Sequence, residues 1–135
     1  MKILIVDDDP TSRVLLKKIL ERHGLADIEF AIDGQNAIEK FSNILNTGRR
    51  YDLVFLDVKM PNKNGISAIQ EIRAIERARG MNQNETVKVI MTTSATDDMV
   101  LANAYEALCD GYVVKPYGQA VIIDQLKALG VSVGE

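Results

Sequence analysis

Short apolar runs alternate with longer amphipathic stretches from one end of the chain to the other. That alternation predicts strands joined by crossover helices in a parallel sheet. Ile3–Val6 predicts the first strand. Asp9 then offers a helix cap and Pro10 a first helical position, where a missing N–H does no harm; Leu15, Leu16, Ile19 and Leu20 repeat on one face and Gly24 ends the helix. A weaker strand spans Ile28–Ile32, and Asp33-Gly34 opens a second helix with Ala37, Ile38, Phe41, Ile44 and Leu45 inward, closed by Gly48. Leu53–Leu56 has no polar side chain, as a central strand covered on both faces requires, and it runs into Asp57. Gly65 starts a third helix with Ile66, Ile69, Ile72 and Ile75 inward, and the polar stretch from Arg79 to Thr86 belongs on the surface. A strand over Val87–Met91, a helix over Asp97–Leu108, a short strand over Tyr112–Val114 and a helix over Gln119–Leu129 complete the series. Five strands and five helices are expected, in an α/β doubly wound fold.

Right-handed crossovers point all strands of such a sheet the same way, so the residues that follow each strand gather along one edge. Asp7, Asp8 and Asp9 follow the first strand, Asp57 the third, Thr92, Thr93 and Ser94 the fourth, and Lys115 and Pro116 the fifth. In the strand order 2-1-3-4-5 the first and third strands are neighbours whose helices leave on opposite faces, which opens a crevice between them. Asp7, Asp8 and Asp57 converge there. Three carboxylates this close raise at least one pKa unless a cation neutralises them, and a hard, oxygen-preferring ion such as Mg²⁺ suits the donor set. Asp9 reads as a helix cap.

The 135 residues fit one domain, with 47% hydrophobic and 26% charged residues and no apolar stretch long enough to cross a membrane. A net charge of −3 and a pI near 5.2 leave no electrostatic footprint for nucleic acid. The N-terminus lacks the pattern of a secretory signal, so a cytoplasmic location is expected. Cys109 reads as a small buried hydrophobe, His23 as a helix-end residue, and Arg49, Arg50, Arg73, Arg77 and Arg79 as solvated positions.

Several stretches together resemble the receiver domains of two-component response regulators. They are Ile5-Val-Asp-Asp-Asp-Pro10, Asp57-Val-Lys-Met-Pro61 with Gly65, Val89-Ile-Met-Thr-Thr93, and Gly111-Tyr-Val-Val-Lys-Pro116. The resemblance covers the whole chain and implies a flavodoxin-like (βα)5 fold. It implies that Asp57 accepts a phosphoryl group from a sensor histidine kinase or a phosphotransfer protein. Asp7, Asp8, Asp57 and the backbone carbonyl of Lys59 would hold Mg²⁺, and Lys115 would pair with the phosphoryl group. Thr93 falls at the family's hydroxyl switch position, with Thr92 and Ser94 as rivals, and Tyr112 at its aromatic switch position. A cis Lys115–Pro116 bond is expected. The downstream protein target would bind through the fourth helix, fifth strand and fifth helix.

Two positions depart from the family's pattern. Lys59 stands where many receivers carry Asn, and a long side chain there is expected to shield the phosphoryl group and lengthen its lifetime. Ser94 replaces a usual Ala or Gly. A single receiver over residues 1–135, with no output domain, is the expectation. A phosphatase of the haloacid dehalogenase type would need a second carboxylate two residues after the nucleophile, where Lys59 stands, and a flavin-binding role finds no phosphate loop after the first strand.

Overall fold

The computed structural model describes residues 1–60, 62–93 and 108–134. Five strands, β1 (Lys2–Val6), β2 (Asp27–Ala31), β3 (Leu53–Asp57), β4 (Lys88–Thr93) and β5 (Gly111–Val114), form one parallel sheet in the order 2-1-3-4-5. The described helices are α1 (Pro10–Arg22), α2 (Gly34–Asn46), α3 (Gly65–Ala78) and α4 (Gln119–Ala128). The helix expected over Asp97–Leu108 lies outside the described residues except for Leu108, which sits in a turn.

Alternation along the central strands feeds two separate cores. Ile3, Ile5, Leu53 and Phe55 point to a layer closed by α1 and α4, through Leu16, Ile19, Leu20, Ile122 and Leu126. Leu4, Val6, Val54 and Leu56 point the opposite way, to a layer closed by α2 and α3 through Ala37, Phe41, Ile69 and Ile72. Both faces of β1 and β3 are therefore dry, which is why these strands read as unbroken apolar runs. Three of the four described helix starts carry a side-chain cap: Asp9 accepts the Thr11 N–H (3.1 Å), Asp33 that of Asn36 (2.7 Å) and Asn64 that of Ser67 (2.9 Å), whereas Gly118 before α4 has none to offer.

Two expectations need correction. Leu15 is 50% exposed, because only Leu16, Ile19 and Leu20 among the four leucine and isoleucine positions of α1 face the sheet. Arg73 is not solvated. Its guanidinium donates to Glu76 (2.7 Å), to the carbonyls of Val87 (2.8 Å) and Leu108 (2.9 Å), and to Asp110 (3.1 Å). Glu76, 2% exposed, in turn accepts the Val87 N–H at 2.7 Å. The aliphatic stem of Arg73 lets a charge on α3 serve backbone groups ahead of both β4 and β5, a use that periodicity along α3 does not reveal.

Cys109 is half-buried against the layer under α2 and α3; burial, reinforced by Asp110, pushes its thiol pKa up. His23 caps the end of α1.

Glu76→Ala leaves the buried Val87 N–H without its acceptor and leaves Arg73 with Asp110 as its one carboxylate partner among the described residues, and a loss of about 2 kcal/mol in unfolding free energy is expected from urea denaturation. A loss no larger than the roughly 0.5 kcal/mol of an ordinary surface substitution contradicts the assignment.

Candidate functional site

The ladders run one residue beyond the apolar strands, and this sets the site. Asp7 N–H donates to Ala31 O (3.1 Å), Val58 N–H to Thr92 O (3.0 Å) and Lys115 N–H to Thr93 O (2.6 Å). Backbone bonds thus fix the residues on which four strand ends deliver their polar groups. Asp7 and Asp57 are buried and Asp8 is exposed, and one carboxylate oxygen from each lies within 4.8 Å of the others. The Lys115 ammonium sits between the buried two, 2.7 Å from Asp7 Oδ2 and 3.2 Å from Asp57 Oδ2. Asp7 Oδ1 accepts the Asp9 N–H at 2.9 Å.

One ammonium does not balance this cluster. Burial lifts the Asp57 pKa to about 6; Lys115 opposes the shift, and the charges of Asp7 and Asp8 add to it. Burial pulls Lys115 down, but its hydrogen bond to Asp7 and the charge of Asp57 outweigh that and hold its pKa above the ordinary lysine value.

The donor set fits a small hard cation. An octahedral ion with bonds of about 2.1 Å spaces its ligands roughly 3.0 Å apart when adjacent and roughly 4.2 Å apart when opposite. Three oxygens within 4.8 Å of one another match that scale, with Asp8 free to reach the ion directly or through water. A second observation bears on the group such an ion would accompany. Thr93 is fully buried, and among the described residues its Oγ1 is the one buried side-chain polar atom without a hydrogen-bond partner. Such a hydroxyl is costly unless something else comes to meet it.

Thr92 is buried as well but lies opposite Asp57 within the ladder, and Ser94 lies outside the described residues. Tyr112 is half-buried on the layer under α2 and α3. Lys59 is exposed, and the Lys115–Pro116 bond is cis as expected.

Two contributors escaped the sequence reading. Arg13, one turn into α1, donates to the Asp7 carbonyl (2.7 Å) and stacks its guanidinium 5.7 Å from the Phe30 ring centroid; its place four residues after the Asp9 cap was the available signal. Gly65 begins a helix, but its more telling property is room: a Cβ there would lie 2.2 Å from the Asp57 carbonyl oxygen.

The family model described as the response regulator receiver domain matches residues 3–127. The chain belongs to that family. Among its relatives this receiver is 34% identical over 128 residues to the transcriptional regulatory protein ResD of Bacillus subtilis, covering 95% of this chain and 47% of that protein. It is 29% identical over 125 residues to the chemotaxis protein CheY of Thermotoga maritima, covering 93% of each. The chain spans about half the length of the transcriptional regulators it matches, and 9% of a matching osmosensing histidine protein kinase from Saccharomyces cerevisiae. The same fold occurs in the receiver of a Saccharomyces cerevisiae response regulator co-crystallised with a histidine phosphotransfer protein, with 23% identity, a TM-score of 0.77, and 94% of this chain and 86% of that chain covered. The sheet order and the two helical layers are those of the flavodoxin-like receiver fold.

The charge imbalance predicts a pH signature in metal-free protein. With the folded pKa of Asp57 near 6, above its unfolded value, the penalty for burying its charge is complete at neutral pH and fades as pH falls through about 6. Asp57→Asn, in a chelator, is expected to raise the unfolding free energy at neutral pH by on the order of 2 kcal/mol, with the gain shrinking toward pH 4. Urea titrations that give the same difference at both pH values contradict this electrostatic account.

Proposed function

We propose that this receiver accepts a phosphoryl group on Asp57 from the phosphohistidine of a sensor histidine kinase or a phosphotransfer protein, and that the modification changes which protein it binds. What supports the reading is the buried Asp57 carboxylate in contact with a cationic donor, Lys115, with an unpartnered buried hydroxyl, Thr93, at the end of the adjoining strand β4. An Asp57 carboxylate oxygen attacks phosphorus in line with the P–N bond. That bond breaks, its electron pair stays on the imidazole, and the imidazole takes a proton from solvent. Asp7, Asp8, Asp57 and the Lys59 carbonyl would hold Mg²⁺, which when bound supplies neutralisation of the phosphoryl charge. Lys115 turns from Asp7 to a phosphoryl oxygen, and the Thr93 hydroxyl donates to another. With Thr93 drawn toward the phosphoryl group, Tyr112 moves inward behind it.

The altered surface for the downstream protein would be the predicted fourth helix with β5 and α4. Val114 on β5 and Val121 on α4 are exposed apolar positions there. The phosphodonor approaches from another side. Leu15, with exposed Val14 beside it, separates two shallow hollows, one of them lined by Ser12, Lys115, Pro116 and Tyr117, so an apolar partner surface can seat on α1 next to Asp57. The chain turns over no separate substrate in this reading. Partner exchange without an output domain in residues 1–135, at work in the cytoplasm, belongs to the same proposal. The chemotaxis protein is matched over 93% of its own length; no described helix of this chain is long and apolar enough to cross a membrane.

Intact mass after incubation with Mg²⁺ and acetyl phosphate tests the chemistry: one added phosphoryl mass is expected, lost on Asp57→Asn or on chelation. No gain, or an equal gain in the variant, refutes Asp57 as the acceptor.

Leu15→Asp tests the donor face, because an exposed position should tolerate the charge. Transfer from a phosphorylated donor protein is expected to fall at least about tenfold, the cost of a ~1.4 kcal/mol contact, while transfer from acetyl phosphate stays unchanged. Equal rates from both donors place docking elsewhere.

A further inference from the structure

The loop between β3 and α3 carries Lys59, and it is held against the start of α2 by contacts that a helix cap alone does not require. Asp33 is buried, and its two carboxylate oxygens do different work. Oδ1 accepts the Asn36 N–H at 2.7 Å, which caps α2. Oδ2 accepts the side-chain amide of Asn62 at 2.6 Å, across 29 residues of sequence. Asn62 has φ +66°, and among the described residues it is the one non-glycine residue with positive φ. A polar side chain able to tolerate that conformation is then fixed by a buried carboxylate.

The neighbouring residues add a backbone staple. Gly34 N–H donates to Lys63 O at 3.0 Å, and a Cβ on Gly34 would lie 2.1 Å from that oxygen, so only glycine lets loop and helix start meet this closely. At its far end the loop closes on itself through Gly65 N–H and Val58 O (2.8 Å), while the Lys63 ammonium pairs with Glu71 of α3. Described residues on both sides of Lys59 are thus tied down, Val58 by Gly65 and Asn62 and Lys63 by the start of α2.

We propose that Asp33 is a positioning residue for the cation site, acting through Asn62 to hold the loop on which the Lys59 carbonyl is presented. The inference rests on the cation reading given above and assigns Asp33 a task beyond capping. A carbonyl ligand on a short loop has no side-chain rotamer with which to adjust, so its placement depends on what immobilises the backbone. Partners hydrogen-bonded directly to a ligand affect metal affinity by roughly 10- to 100-fold, and Asp33, one step further out, is expected at the lower end of that range.

Two substitutions separate positioning from capping. Asp33→Ser keeps a good N-cap but is too short to reach Asn62, and Asn62→Gly keeps the positive φ while removing the amide. Mg²⁺ affinity is measured by calorimetry for the native chain, both variants and the double variant. Hydrogen exchange of the amides between residues 59 and 64 is measured in the metal-free proteins. Each single variant is expected to weaken Mg²⁺ binding about tenfold, with little further loss in the double variant, and to speed exchange in the loop while α2 stays protected. Affinities within about twofold of native, with unchanged loop exchange, overturn the proposal and leave Asp33 as a cap only. Failure of the native chain to take up Mg²⁺ overturns the cation reading itself, and the metal-free exchange data then still decide whether the Asp33–Asn62 bond holds the loop.

Discussion

Two carboxylates buried at one edge of a sheet, with one ammonium between them, are the constraint on which this structure turns. Asp7 and Asp57 sit on neighbouring central strands and cannot separate without breaking the ladder. Lys115 comes from 108 residues away to neutralise them, but it does not offset the burial that, with the charges of Asp7 and Asp8, raises the Asp57 pKa. Buried charge without full compensation is expensive, so a site of this kind persists where something else is meant to complete it. A hard cation and an anionic group held by Lys115 and Thr93 would together restore the balance.

The rest of the molecule keeps that imbalance in place. Dry layers on both faces of β1 and β3 make the central strands rigid, and the polar groups at their ends inherit that rigidity. The Arg73–Glu76 pair joins α3 to the backbone before β4 and β5, so the strands bearing Thr93 and Lys115 are referenced to the same helix. Gly34 and Gly65 do the corresponding work for the β3–α3 loop, since only without a Cβ can their N–H groups come close enough to donate to the Lys63 and Val58 carbonyls. The site is therefore strained electrostatically but held by ordinary packing and hydrogen bonds, and the two can be separated by mutation.

The sheet and its functional edge were legible because they follow from local pattern plus one rule of handedness. Unbroken apolar runs announce central strands, and once the crossovers are right-handed the residues after each run must meet; Asp7, Asp57 and Lys115 are found in that way, whereas Thr93 is picked from Thr92, Thr93 and Ser94 only by the resemblance to receivers. Leu15 was misread because periodicity marks a stripe wider than the face that the sheet covers, so a leucine at its margin can serve a partner instead. Arg73 was misread because a long side chain can leave a helix face and serve distant carbonyls. The bond between Asp33 and Asn62 had no sequence signal beyond two common turn residues, since a cap needs only one carboxylate oxygen and nothing local says where the other points. Long-range polar contacts are set by packing, and packing is known only once the layers are assembled.

The most direct test of the central claim is a crystal structure of the protein with Mg²⁺ and beryllium fluoride, a phosphoryl mimic. The account predicts a cation held by Asp7 and Asp57, the fluoride group on Asp57, the Lys115 ammonium moved from Asp7 Oδ2 to a fluorine, and Thr93 Oγ1 partnered for the first time. A structure in which Lys115 still bridges both carboxylates and Thr93 Oγ1 remains alone, with the fluoride group elsewhere, would contradict it.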